Sequence, residues 1–283
     1  YMANLSYNIQ KKYTLRDLIK KQNLIRSKIM FAKKGELEFD TIKKSEHIIG
    51  RTTWDLACIT QINPKAHYHL CNETLREKFY KKQWSYSECE KFSIFVSQAS
   101  YPIKGVHFLI EALPYIISRF PETKLYISGK SLYPKSIVEK LKMSAYAKFL
   151  LSLIDKYRLN NYVIFTGLLN EDEMVSRYIK SNVFVCPSSI ENSPNSLGEA
   201  MLLGVPCVAS YVGGVPDMLE DFKEGFLYQH DAHYMLAHYV CLVFEDITLA
   251  EEFSKNARNR AKQTHHIANN RDMLIRIYED ILK

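Results

Sequence analysis

Several kinds of sequence signal are missing from this chain of 283 residues. No apolar run reaches the roughly 18 residues that a membrane-spanning helix needs. No Cys-x-x-Cys pair indicates a zinc site, and no Asp-x-Asp or histidine cluster indicates another kind of metal site. The stretch from Phe92 to Lys104 has no Gly-x-Gly-x-x-Gly, which argues against a dinucleotide-dependent dehydrogenase. We therefore expect a protein without a membrane span, and without a metal or other cofactor.

The six cysteines are scattered along the chain rather than grouped. Cys186 and Cys207 lie in apolar, strand-like runs, where a free cysteine packs as a small hydrophobic residue. Cysteines of this kind are typical of a reducing compartment, and we see no segment of the secretory type at the start. We therefore expect a cytoplasmic protein.

Positive charge is concentrated in the first third of the chain. Residues 1–91 contain 18 Lys and Arg against 10 Asp and Glu, whereas residues 92–283 contain 20 against 21. Two interpretations stay open for this excess. It is either a solvated helix surface, or a face that contacts an anionic acceptor or the anionic inner face of a membrane. No recognisable nucleic-acid module is present, so we expect no nucleic-acid partner.

From residue 92 onward, short apolar runs alternate with helical patterns. The predicted strands are rich in Val, Ile, Phe and Tyr and cover residues 92–97, 125–129, 162–167, 183–187 and 206–210. The predicted helices cover residues 104–119, one long segment at 137–157, and then 171–180 and 196–203. This alternation predicts an α/β fold with a Rossmann-like parallel sheet flanked by helices. Ligands of such sheets bind beyond the carboxyl ends of the strands.

The most informative segment runs from residue 183 to residue 210, where a strand, a polar loop and a helix follow each other. The helix N-terminus presents backbone N–H groups, which suit phosphate oxygens. Glu191 lies in the loop, where it is either a solvated carboxylate or faces a polyhydroxyl ligand. Glu199 lies in the first helical turn, where it also fits a capping box with Ser196. Spacing alone leaves both interpretations open.

Seven residues separate Glu191 from Glu199, and the segment resembles the E-x7-E signature of family 4 retaining glycosyltransferases. Other pieces resemble that family in the same order, namely the Lys104-Gly105 helix opening, the strand at 163–167 and the glycine-rich turn at 212–217. The resemblance covers residues 92–283 and is most specific at the E-x7-E segment. It implies the donor-binding, C-terminal half of a GT-B fold.

The family resemblance implies roles for single residues. Glu191 would bind donor-sugar hydroxyls and support the positive charge that develops at the anomeric carbon. Glu199 would hydrogen-bond the ribose, and Lys104 would neutralise the departing diphosphate. Further contacts with the donor are implied for Asn195, Ser196, Leu197, Gln98 and Gly167. The implied reaction transfers a sugar, with retention, from a nucleotide diphosphate sugar to a hydroxyl of a glycan or lipid-linked saccharide.

One position departs from the family pattern. The family usually has Gly-Arg at the end of the first strand, six residues before the lysine, and this chain has Ser97-Gln98 there. Gln98 donates a neutral hydrogen bond but supplies no charge. Either Lys104 supplies a larger share of the positive charge for the diphosphate, or the donor site binds its ligand more weakly, or another cation such as Lys130 takes part. Two further hypotheses stay open: a catalytically silent nucleotide-sugar-binding module that partners an active subunit, and an epimerase of the same fold.

Residues 1–91 are too short for a second Rossmann-like domain. They carry a predicted helix at 14–34, with Thr14 as N-cap and Gly35 as its stop, and a strand at 47–49. The resemblance implies a remnant of the acceptor-binding domain with its linker. Arg51 either adds a charge to the cleft or pairs with Asp55.

The predicted division of the chain is therefore threefold. Residues 1–91 form the remnant and linker, and residues 92–265 form the nucleotide-sugar-binding domain. Residues 266–283 show an amphipathic helical pattern. In the family this last helix crosses back to brace the acceptor-binding domain, and we expect the same role here.

Overall fold

A six-stranded parallel sheet organises most of this computed structural model, which describes residues 14–19, 24–98, 101–134 and 136–283. The elements before the sheet are α1 (Leu15–Ile19), α2 (Leu24–Lys44), β1 (His47–Gly50), α3 (Thr53–Ile62), β2 (His67–Leu70) and α4 (Lys78–Lys81). The sheet and its helices comprise β3 (Glu90–Val96), a 3-10 turn (Pro102–Lys104), α5 (Val106–Arg119), β4 (Lys124–Ser128), α6 (Ile137–Leu141), α7 (Ala145–Lys156), β5 (Val163–Gly167), α8 (Glu171–Ile179), β6 (Ser181–Cys186), α9 (Asn195–Leu203), β7 (Cys207–Tyr211), α10 (Val215–Met218), β8 (Phe226–Gln229), α11 (His233–Glu245), α12 (Ile247–Thr264) and α13 (Ile267–Ile281).

The strand order is β5-β4-β3-β6-β7-β8, and every neighbouring pair is parallel. β3 and β6 lie at the centre of the sheet, and every residue of β6 is buried. A strand that is buried on both faces needs helices on both faces. In one group of helices α5 contacts α7 and α11, and in a second group α9 contacts α4, α8 and α12. The predicted α/β fold with a Rossmann-like parallel sheet is confirmed.

Two predicted helices were wrong in extent. The single helix at 137–157 is two helices, α6 and α7, because α7 has its own N-cap. The Ser144 hydroxyl accepts a hydrogen bond from the Ala147 N–H at 3.2 Å, and the Asp17 carboxylate accepts one from the Ala145 N–H at 3.0 Å. The helix predicted at 14–34 does not stop at Gly35, since α2 continues to Lys44. Residues 20–23 of that prediction lie outside the described residues.

Thr14 does act as a cap, because its hydroxyl accepts a hydrogen bond from the Asp17 N–H at 3.2 Å. Two short strands were missed by the sequence patterns. β2 pairs in parallel with β1, and β8 forms one edge of the large sheet. Each has only four residues, which is too few to establish an alternating pattern.

The segment before β3 packs against the sheet rather than apart from it. The indole N–H of Trp84 donates to the Ser181 carbonyl at 2.8 Å. Phe79 is fully buried, with its ring edge-on to Tyr178 at 5.9 Å. At the other end of the chain, α13 lies beside the residue after β2, where the Cys71 thiol donates to the Asn270 carbonyl at 3.7 Å. The predicted division into domains and the bracing role of α13 stay predictions.

None of the helices within the described ranges combines the length and the apolar character that crossing a bilayer requires. α2 nevertheless exposes several large apolar side chains, among them Ile29, Met30, Phe31 and Leu37. The same helix carries six Lys and Arg residues. Whether this basic surface is solvated or contacts an anionic partner therefore stays open.

His107, the second residue of α5, is a buried titratable group close to the site described below. It is 1% exposed, and its Nδ1 lies 3.2 Å from the Tyr146 hydroxyl. Its Nε2 has no hydrogen-bond partner among the described residues. Burial, and to a smaller extent the nearby His230, lowers the pKa of His107 to about 3. The ring is therefore neutral in the folded protein at neutral pH.

His107 should make the fold sensitive to acid. A histidine in the unfolded chain takes up a proton near pH 6.5, whereas the folded protein holds His107 neutral down to a pKa of about 3. Between these values the unfolded state binds one more proton, so falling pH lowers the free energy of unfolding by about 1.4 kcal/mol per pH unit. His107→Gln should remove about that much of the slope between about pH 6 and pH 4.5, as measured by urea unfolding. His238→Gln, at an exposed position of α11, is the control, and an unchanged slope in His107→Gln would contradict the assignment.

Candidate functional site

The two central strands end beside each other at the point where the strand order reverses. The chain runs from β3 outward through β4 and β5, and then returns to β6 on the other side of β3. In open parallel sheets this reversal leaves a crevice beyond the carboxyl ends of the two strands. The loop after β3 leads to Lys104, and the loop after β6 carries Glu191. Both predicted residues thus start from the same edge of the sheet.

The two loops touch each other directly. The Ser189 N–H donates to the Ile103 carbonyl at 2.8 Å. Gly105 has a left-handed φ of 69°, and an added Cβ would lie 1.7 Å from the Pro187 carbonyl oxygen. Only glycine permits this approach without displacing the backbone. Close packing of the loops therefore sets the position of Lys104 relative to the loop that carries Glu191.

Lys104 and Glu191 form an ion pair at this junction. The Lys104 Nζ donates to Glu191 Oε1 at 2.6 Å, and the Ser188 hydroxyl donates to the same oxygen at 2.8 Å. The Glu191 side chain is 13% exposed, so its charge depends on these partners. The solvated-loop interpretation of Glu191 is therefore wrong.

The thiol of Cys186 lies beneath this pair at the end of β6. Burial, and then the charge of Glu191, raises the pKa of Cys186 to about 12. The thiol therefore stays protonated at neutral pH and cannot act as a thiolate nucleophile. All six cysteines within the described residues are free, and Cys186 and Cys207 are buried as predicted.

Glu199 points away from its own helix start and binds an arginine from before the sheet. Arg76 donates from both Nε and Nη2 to Glu199 Oε1, each at 2.8 Å. Glu199 is 6% exposed, and burial raises its pKa while Arg76 opposes that shift. Pro194 occupies the N-cap position of α9, with no side-chain cap. The capping-box interpretation of Ser196 and Glu199 is therefore wrong.

A cavity of about 480 Å³ opens above the Lys104–Glu191 pair. Its wall includes five of the residues predicted for the donor site, namely Gln98, Lys104, Glu191, Asn195 and Ser196. Asn195 and Ser196 belong to the first turn of α9, whose N–H groups have no partner within the helix. The wall thus combines the cations Lys104 and Arg51, the carboxylates Glu191 and Glu73, and a helix N-terminus that favours negative charge.

Four predicted positions lie elsewhere, and the first is Glu199, which is enclosed by its pair with Arg76 and does not line the cavity. The Leu197 N–H donates to the Pro194 carbonyl at 3.0 Å, and its side chain is buried, so it is not available to a ligand in the cavity. Gly167 ends β5, two strands away from β3, and does not line the cavity. Lys130, suggested as a replacement cation, lines a separate cavity with Arg16 and Lys142.

The sequence patterns missed Glu73 and Arg76. Both lie in the segment before β3, far along the chain from the residues they accompany. The guanidinium of Arg51 pairs with Glu73 and lines the cavity, while its backbone N–H donates to Asp55 at 2.9 Å. Of the two alternatives for Arg51, the side-chain pair with Asp55 is therefore not formed.

Hydrogen bonds attach the segment after β1 to the Glu191 loop. Asn192 Nδ2 donates to Asp55 Oδ2 at 2.8 Å, and the Thr52 hydroxyl donates to Asn192 Oδ1. The Thr53 N–H donates to Asp217 at 2.6 Å. These bonds join the first third of the chain to the functional loops, which explains how residues before β3 reach the cavity.

The turn after β7 packs against the backbone of the Glu191 loop. The Gly214 N–H donates to the Glu191 carbonyl at 3.1 Å. Gly213 has a φ of 51°, and an added Cβ would lie 1.9 Å from the same carbonyl oxygen. The predicted glycine-rich turn is therefore needed for the Glu191 loop to adopt its observed position.

Among the described residues, no group of three or more His, Cys, Asp or Glu side chains is arranged to hold a metal ion. The expectation that no metal takes part stays a prediction.

A family model places the chain among known proteins. The model of the group 1 glycosyl transferases matches residues 76–260, which is more than half of the chain. The chain therefore belongs to the group 1 glycosyl transferase family. The matched region contains Arg76, Lys104, Glu191 and Glu199.

Individual proteins agree with the family. The putative glycosyltransferase YtcC of Bacillus subtilis (strain 168) is 26% identical over 208 residues, which are 72% of this chain and 49% of that protein. The capsular polysaccharide biosynthesis glycosyltransferase CapM of Staphylococcus aureus is 26% identical over 195 residues, 69% of this chain and 46% of that protein. The chain thus spans about half the length of these relatives.

A solved structure with the same fold is Anabaena Alr3699/HepE in complex with UDP and glucose. It superposes with a TM-score of 0.74 at 19% sequence identity, covering 87% of this chain and 66% of that chain. At this identity the likeness concerns the fold, which is GT-B.

Two glycines give a matched test of the packing under the site. Gly213→Ala should lower the free energy of unfolding by about 2–4 kcal/mol, because the methyl group meets the Glu191 carbonyl in a left-handed backbone. Gly35→Ala should instead raise it by about 0.5–1 kcal/mol, because Gly35 lies inside α2 with nothing within 4 Å of the new atom. Urea unfolding measures both. Equal stability of Gly213→Ala and the unmodified chain would mean that the turn does not support the loop as described.

Proposed function

We propose that this chain supplies the donor site of a retaining glycosyltransferase. The enzyme would move a sugar from a nucleotide diphosphate sugar to a hydroxyl of a glycan or lipid-linked saccharide. The observation that carries the proposal is the meeting of Lys104 and Glu191 beside the N-terminus of α9, on the wall of one cavity. This arrangement offers positive charge for a diphosphate next to a carboxylate for a sugar.

The proposed roles follow the positions of the groups. Lys104 holds the charge of the diphosphate, helped by the N–H groups at Asn195 and Ser196. Glu191 accepts hydrogen bonds from the sugar and stabilises positive charge at the anomeric carbon. Glu199 does not line the cavity of the empty site, and we assign it to the ribose through the oxygen that Arg76 does not contact.

The proposed reaction breaks the bond between the anomeric carbon and the diphosphate oxygen and forms one to the acceptor oxygen. The acceptor loses its hydroxyl proton, which the departing phosphate oxygen can take up. Negative charge grows on the diphosphate as the bond breaks, so Lys104 binds the transition state more strongly than the ground state. In this proposal Lys104 and the N-terminus of α9 stabilise the departing diphosphate, and no metal ion takes part.

The relatives suggest which ligands to test first. HepE was crystallised with UDP and glucose, so uridine nucleotides are the first choice. The name of CapM supports a polysaccharide acceptor. Six free cysteines support the cytoplasm as the compartment, and contact of residues 1–91 with an anionic membrane stays a prediction.

A second candidate is a nucleotide-sugar-binding module without turnover. Gln98 favours it, because a neutral amide on the cavity wall does not add to the charge that Lys104 provides. Donor binding with no donor turnover in the full-length protein would favour this module over the enzyme.

Three ligands of increasing size separate the proposed roles. Uridine presents the nucleoside, UDP adds the diphosphate, and UDP-glucose adds the sugar. Glu199→Gln should weaken binding of all three alike. Glu191→Gln should increase the gain of UDP over uridine, because it frees Lys104, and should reduce the gain of UDP-glucose over UDP. Lys104→Gln should reduce the gain of UDP over uridine by about tenfold or more, the cost of one charge-assisted hydrogen bond.

Calorimetry measures the affinities for UDP and UDP-glucose, and NMR titration measures the affinity for uridine. Lys180→Gln is the control for Lys104→Gln, because Lys180 is exposed and precedes β6 at the opposite edge of the sheet. Binding of UDP, GDP and ADP is compared, so that a site for a base other than uracil is also detected. If the unmodified chain binds none of the three diphosphates, the proposal is wrong.

A further inference from the structure

The charges on the cavity wall leave a diphosphate with too little positive charge if Lys104 acts alone. A nucleoside diphosphate carries more than one negative charge at neutral pH, and a buried or half-buried anion needs compensation. Gln98 contributes a neutral amide to the wall. Among the described residues, the cations that line the cavity are Lys104 and Arg51.

Arg51 projects from a backbone that is held firmly in place. It follows β1 directly, and its N–H donates to Asp55 at 2.9 Å. Asp55 also accepts from Asn192, the residue next to Glu191, at 2.8 Å. One carboxylate therefore fixes both the start of the Arg51 side chain and the loop that carries Glu191. These bonds use the main chain of Arg51 and leave its guanidinium for the cavity.

The guanidinium is paired with a carboxylate that a ligand can replace. Arg51 pairs with Glu73, and the two side chains are 34% and 40% exposed. Exposed pairs of this kind contribute little to stability, about 0–1 kcal/mol. A phosphate offers the planar guanidinium a stronger, bidentate partner than a single carboxylate oxygen. Replacing Glu73 with a phosphate at the guanidinium therefore changes the stability of the fold little.

Other cations near the site are committed elsewhere. Arg76 donates twice to Glu199, which is buried, and Arg76 does not line the cavity. Lys130 lines a different cavity. Among the described residues, Arg51 is thus the second cation on the cavity wall, and its partner is exchangeable.

We propose that Arg51 is the second cation that binds the diphosphate of the donor, with Glu73 as its partner while the site is empty. The inference rests on the proposed donor site and goes beyond it, because it assigns part of the diphosphate contact to the segment before the sheet. Lys104 is likewise paired with Glu191 when no ligand is bound. Diphosphate binding would then replace two internal ion pairs and free Glu191 for the sugar.

Two substitutions break the same ion pair and should have opposite effects. Arg51→Gln should weaken UDP binding by about tenfold or more, with little change for uridine, because it removes a charge-assisted contact to phosphate. Glu73→Gln should strengthen UDP binding severalfold, because it removes both the competing partner of Arg51 and a negative charge. If the Arg51–Glu73 pair were only structural, both variants would change the affinity in the same direction or leave it unchanged, because each breaks the same contact. That result would overturn the proposal.

The conservative variant separates charge from shape. Arg51→Lys should recover part of the lost UDP affinity, because lysine keeps the charge but not the bidentate geometry. Lys130→Gln, which removes a cation from the separate cavity, should bind UDP as the unmodified chain does. Thermal unfolding of each variant confirms that the fold is intact before the affinities are compared.

The outcomes distinguish this proposal from the one on which it rests. If the unmodified chain binds no nucleoside diphosphate, the donor site itself is wrong. If it binds UDP and Arg51→Gln binds UDP within twofold of it, the donor site stands and the role of Arg51 is overturned. Equal losses for UDP and uridine in Arg51→Gln would overturn it as well, because uridine has no phosphate.

Discussion

The contact between the loops that leave β3 and β6 determines the rest of the site. Parallel strands at the centre of a sheet end side by side, but their loops normally diverge around their own helices. Here Gly105 lets one loop pass against the Pro187 carbonyl, and the Ser189–Ile103 hydrogen bond holds the two loops together. Lys104 reaches Glu191 as a result. A side chain at Gly105 would separate the loops and the ion pair with them.

The site is electrically balanced before any ligand arrives. Lys104 faces Glu191, Arg51 faces Glu73, and Arg76 faces Glu199. Glu191 and Glu199 are largely buried, and removing the cation of either would leave an uncompensated charge. The pairs differ in burial, since Glu199 is nearly enclosed while Glu73 is partly exposed. The enclosed pair attaches the segment before the sheet to α9, and the exposed pair can be exchanged for a ligand.

Local sequence was sufficient for part of this site and insufficient for the rest. Lys104 and Glu191 follow strands whose apolar composition is clear, so their place at one edge of the sheet could be predicted. Glu73 and Arg76 could not, because they meet the site through docking of a distant segment, and no periodic pattern marks such a contact. The capping alternative for Glu199 failed for the same reason. A capping box considers only neighbours within a helical turn, whereas Arg76 arrives from outside that turn.

A crystal structure of the chain with UDP bound would test the central claim most directly. The claim is that a diphosphate takes the place of a carboxylate beside Lys104. We predict a diphosphate oxygen within about 3 Å of the Lys104 Nζ, above the first turn of α9, with the Glu191 carboxylate released from the lysine. UDP bound elsewhere on the protein, or in the cavity with the Lys104–Glu191 contact intact, would contradict it.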